Sequence, residues 1–166
     1  MKTLSSNNLK LLKVIHLLCA FMWIGGAFSM LLLLSGVHPA ESHEMYMRSL
    51  SLKMIDDWLI IVGANGCIIT GLIYGIWTKW GFFKHRWITV KWVLTLFMVL
   101  SGTFAMGPCV NGNVYSPDEI ALYTSDNEVF WNNISQTIVW GILQTVLLIA
   151  TVVISVYKPW KGKLKK

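Results

Sequence analysis

At 166 residues this chain is about one domain long, yet 55 % of it is hydrophobic, its mean hydropathy is +0.57 and only 13 % is charged, which excludes an ordinary soluble domain. The net charge of +6 does not point to nucleic acid, because the basic residues form no patch or stripe among stacking aromatics. Four apolar stretches approach the roughly 20 residues that a helix needs to cross a hydrocarbon core of about 30 Å. The expectation is an all-α polytopic membrane protein: a four-transmembrane-helix bundle, a single domain over 1–166, embedded in a lipid bilayer.

The first span is predicted from Leu11 to Ser35. The segment before it lacks the small-residue cleavage site of a signal peptide, so this helix is expected to stay in the mature protein. Along it His16, Cys19, Trp23, Gly26 and Met30 share one helical face. The connection that follows predicts a short helix between Glu44 and Lys53. His38, His43, Glu41 and Glu44 read there as a solvated polar loop, since spacing fixes no third metal ligand. The second span is predicted from Trp58 to Trp77. Gly63, Cys67, Gly71 and Gly75 recur there at every fourth residue, a groove for a neighbouring helix, a second copy in a homodimer or a flat ligand.

The third span is predicted from Trp87 to Met106, with Lys91, Thr95, Met98 and Gly102 on one face. The outer loop 107–133 carries one short helix, opened by the capping Ser116, the first-turn Pro117 and the acids Asp118 and Glu119. The fourth span is predicted from Ile134 to Tyr157, with Thr137, Gly141, Thr145, Thr151 and Ser155 as a mildly polar stripe. Trp58, Trp77, Trp80, Trp87, Trp131 and Trp160 fall at span ends, where an amphipathic ring anchors at the membrane surface; Trp23, Trp92 and Trp140 are interior.

Lysine and arginine set the orientation. Lys2, Lys10, Lys13, Lys79, Lys84, Arg86, Lys158, Lys161, Lys163, Lys165 and Lys166 flank the spans on one side. The other side has only Arg48 and Lys53, with all eight acids on it or at its border. Both termini are therefore expected in the cytoplasm.

Ionisable side chains inside spans are costly, and there are two, His16 and Lys91. Counted from the same side, both lie on the order of 6 to 8 Å deep at about 1.5 Å per residue. They can therefore face each other or a shared ligand. Thr70, Gly71 and Tyr74 of the second span and Thr151 and Ser155 of the fourth reach the same depth, which makes a polar pocket with glycine room for a planar cofactor. Two structural readings stay open beside this one. Lys91 can snorkel its ammonium to the phosphates, and His16 can bond only a neighbouring helix. Bis-histidine di-haem binding is excluded because His38, His43 and His85 lie outside or at the border of the spans. A thiol oxidant is excluded because Cys19, Cys67 and Cys109 form no C-x-x-C pair.

Three segments, Lys13-Val-Ile-His16-Leu-Leu-Cys-Ala-Phe-Met-Trp23-Ile-Gly25-Gly26, Arg86-Trp87-Ile-Thr-Val-Lys91 and Val153-Val-Ile-Ser-Val-Tyr-Lys158-Pro159-Trp160, carry a resemblance. Together they resemble a superfamily of small bacterial membrane proteins. It includes the HemJ-type protoporphyrinogen IX oxidases and the CopD-type copper resistance proteins, and the chain looks like a branch whose nearest characterised relative is the HemJ type. The resemblance implies a b-type haem (heme b) with His16 and Lys91 as its metal ligands and catalytic residues. Trp23, Gly26, Gly71, Tyr74 and Thr95, chosen by helix face and depth, would line the cofactor; the resemblance further implies a porphyrin as the substrate of a redox, oxidase-like reaction. The other expectation carried forward is a non-enzymatic transport or interaction component, such as a copper-handling protein or complex subunit, without haem.

Overall fold

The computed structural model describes residues 4–78, 81–115, 117–124 and 126–159. Trp80, Lys79, Ser116, Trp160 and the terminal lysines, to which anchoring, capping and orienting roles fall above, lie outside the described residues. Helices α1 (Ser6–Gly36), α2 (Ser42–Ile55), α3 (Val62–Trp77), α4 (Arg86–Ser101), α5 (Gly107–Gly112) and α6 (Glu128–Tyr157) make up the chain, with no β-strand among the described residues. Four continuous helical rods, Ser6–Gly36, Ser42–Trp77, Arg86–Gly112 and Glu128–Tyr157, are long and apolar enough to cross a membrane.

Each rod is longer than its hydrophobic signal. The hydroxyl of Ser5 accepts from the Asn8 backbone N–H and starts α1, and the Asn127 side chain accepts from the Phe130 N–H and starts α6. Glu41 and Glu44 form a reciprocal capping box at the start of α2. The helix expected between Glu44 and Lys53 is therefore not separate. It runs into the second span through a π-helical turn, Asp56–Ile61. The outer loop likewise begins later than expected, because a second π-turn, Gly102–Met106, carries the third rod on into α5. Pro108 has no N–H to give the carbonyl four residues back, and the wider turn before it, with Gly107 N–H bonded to Gly102 O, accommodates the missing bond. The helix expected after Ser116 is a 3-10 turn, Pro117–Leu122.

The first and last described residues of the chain lie towards one end of the bundle. Leu4 N–H donates to Trp77 O at 3.3 Å, and the Lys158 ammonium sits 5.9 Å from the centre of the Trp87 ring. α6 stops there because Lys158, which precedes Pro159, takes a left-handed conformation (φ 46°). At the opposite end, the loop end, α2, α5 and the 3-10 turn close over a polar and aromatic knot. Fully buried Tyr123 accepts from Tyr115 N–H at 2.8 Å and donates to Asn113 O at 3.0 Å. Burial pushes its hydroxyl above the ordinary tyrosine value, so it stays a donor. Asn113 in turn donates to Phe130 O and accepts from Asn133. Tyr123→Phe leaves one N–H and one carbonyl without their partner, so a loss of about 1–2 kcal/mol is expected in thermal unfolding of the detergent-purified protein.

The first and second rods are held at touching distance. A Cβ on Gly63 would lie 2.6 Å from Trp23 N and 2.7 Å from Cys19 O, and one on Gly26 would meet Ile60 and Leu59 at 2.8 and 2.9 Å. This is small-residue packing of the kind that replaces water exclusion as the adhesive in lipid. Between the rods, Trp23, Met30, Met98 and Leu148 form the apolar centre.

Candidate functional site

Towards the terminal end, α1, α3 and α4 bring the polar residues together. His16 Nδ1 lies 2.7 Å from Thr70 Oγ1, and that same oxygen lies 2.6 Å from Gly66 O. A carbonyl only accepts, so the single hydroxyl hydrogen goes to Gly66 O. Thr70 then accepts from His16 Nδ1–H. The imidazole is thereby fixed with its proton on Nδ1 and a lone pair on Nε2, which is the state a nitrogen ligand or proton acceptor needs. The Tyr74 ring stands edge-on to the imidazole, with centroids 6.0 Å apart and planes at 87°.

Lys91 is half-buried on α4 and interacts electrostatically with both His16 and Cys67. The Cys67 thiol faces His16 O at 4.0 Å. Cys19 and Cys67, remote in sequence, come within electrostatic range of each other, with Cys19 Sγ seated on Gly66.

The expected lining divides in two. Tyr74 belongs to this cluster, whereas Gly71 faces the Trp92 indole. Trp23 and Gly26 lie further along α1 and serve its contact with the second rod. Thr95, one turn beyond Lys91, is half-buried. The glycine groove of the second span is filled from within the bundle: α1 at Gly63 and Gly66, the Trp92 indole at 3.4 Å from a Cβ on Gly71, and the Phe82 ring over Gly75. Trp92 and Phe82 pack on each other, with centroids 5.5 Å apart. What sequence reasoning missed is the part played by Thr70. It stood only as lining at the right depth, and its spacing of 54 residues from His16 carries no local signal.

As a binding site the cluster offers one oriented imidazole nitrogen and one amine within electrostatic reach of it. No group of three or more His, Cys, Asp or Glu side chains able to hold a metal ion occurs among the described residues. With so few donors, the set would suit only a metal group that arrives with most of its coordination already filled. A planar group reaching Gly71 and Gly75 would take the place of the Trp92 and Phe82 rings.

Comparison with protein-family models, with curated proteins and with solved structures finds no match to this chain. The fold and its composition define the class: an all-α, four-span membrane protein.

Proposed function

We propose that this protein is a multi-pass haem-binding protein of the bacterial cytoplasmic membrane with a redox or porphyrin-linked role. In this reading it is a branch of the superfamily that its His16, Lys91 and Lys158-Pro159 segments resemble, and its termini are cytoplasmic because the lysines and arginines gather on their side. The observation that carries the proposal is the 2.7 Å contact between His16 Nδ1 and a Thr70 hydroxyl already bonded to Gly66 O, from which the Nε2 lone pair follows. When bound, a haem supplies one-electron chemistry at its iron. The chain's own residues do the rest. His16 offers Nε2, Thr70 holds the ring plane, and Lys91 supplies a cation for a propionate or an amine that takes a proton. The apolar walls keep water out, with a porphyrin as the substrate class.

A second reading has its own support. Trp92 and Phe82 already fill the faces of Gly71 and Gly75, as a purely structural bundle in a transport or interaction subunit requires. The absorption spectrum of detergent-purified protein, expressed with ample haem supply and recorded oxidised and dithionite-reduced, separates the two. A Soret band with sharpened α and β bands on reduction is expected. A colourless, well-folded protein overturns the haem reading in favour of the structural one.

A further inference from the structure

Independent of that site, the loop end holds a buried cation that forms no ion pair among the described residues. Arg48 of α2 is only 6 % exposed. Its Nη1 donates to Val37 O at 3.2 Å, and one face of the guanidinium lies over the Trp131 ring, 5.9 Å from its centre. Its Nε and Nη2 are buried and have no hydrogen-bond partner. These two N–H groups point the same way from one edge of the guanidinium, the edge that takes two oxygens of a carboxylate or phosphate side-on. The hydroxyl of the next residue, Ser49, is 2 % exposed and also unpartnered, whereas Ser35, Ser51 and Ser135 each bond back to their own helix.

Two acids of the same rod are engaged elsewhere. Glu44 caps α2, and Asp57 pairs with Lys53 at 2.9 Å. Asp56 is two turns further along the rod, about 12 Å at about 1.5 Å per residue. A buried guanidinium with one edge unpaired is expensive unless an anion meets it.

We propose that Arg48 is the recognition group of an oxyanion site at the loop end, binding a small carboxylate or phosphate through its Nε–Nη2 edge. Arg48 precedes Trp58 by ten residues, about 15 Å of helix, so it stands beyond the hydrocarbon and its ligand arrives from water. A headgroup phosphate has the same chemistry and is the other source.

The test is thermal unfolding of the full-length protein in nanodiscs, titrated with sodium acetate, inorganic phosphate or sodium chloride at matched ionic strength. Discs of phosphatidylcholine alone are compared with discs containing phosphatidylglycerol. Acetate or phosphate should raise the melting temperature by several degrees with a saturable midpoint, and chloride should not. Arg48→Lys keeps the charge but loses the fork, and should move the midpoint about tenfold higher or more. Arg48→Met should be at least as stable as the anion-free protein and show no response. A protein already stabilised by phosphatidylglycerol, with no further response to added anion, assigns the same edge to a headgroup. An equal response to chloride, no response in either disc, or an unchanged response in Arg48→Met overturns the site. If the methionine variant does not fold, the lysine variant decides: an unshifted midpoint overturns the site.

Discussion

His16→Ala is expected to abolish the Soret band altogether, while Thr70→Val weakens haem binding about 10- to 100-fold and Thr70→Ser leaves it close to the parent. The alanine removes the nitrogen. The valine keeps the volume of threonine but removes the oxygen that accepts from Nδ1–H, so the ring is free to turn and to exchange its proton between nitrogens. Serine restores that oxygen. Haem titrations followed at the Soret maximum rank the three variants, and the ranking matters more than any one value. Variants that all bind as the parent does would place the haem away from α1. Equal loss in valine and serine variants would mean that position 70 acts through packing.

The largest effect on folding is expected at Gly63. Gly63→Ala sets a methyl group against the Trp23 N and Cys19 O positions, which are backbone and cannot rotate aside, so the first and second rods must separate. A loss of about 3 kcal/mol or more is expected, at the upper end of overpacking costs. Gly25→Ala is the control. It has nothing within 4 Å of a new Cβ and should be neutral. Thermal unfolding of the two variants in the same detergent checks this. A Gly63→Ala protein as stable as the parent would mean that the rods are not in contact there.

The four crossings were legible because span length is a property of the local sequence: lipid demands about 20 apolar residues, and hydropathy records them. The helical extensions at Ser42–Ile55 and Gly107–Gly112 carried no such record, since beyond the lipid a helix is specified by caps and neighbours. The π-turns were illegible too. One lies where Leu59 and Ile60 press on Gly26, a contact between distant residues, and the other depends on how the chain absorbs Pro108. His16 and Lys91 stood out because ionisable groups are rare in spans. Thr70 did not, since a membrane threonine ordinarily bonds only its own helix, as Thr145 does with Gly141 O. Arg48 stood only as one of two basic residues on its side, because its partners, Val37 just past α1 and Trp131 of α6, are remote in sequence.

The rod from Ser42 to Trp77 has 36 residues, about 54 Å at about 1.5 Å per residue, and so outreaches any bilayer core. If Trp58 marks the waterline, as expected of a tryptophan at a span end, the part from Ser42 to Asp57 would stand as a mast of about 24 Å. Because mast and span are one unbroken helix, the headpiece rides at a height set by the protein and not by the thickness of the membrane beneath it.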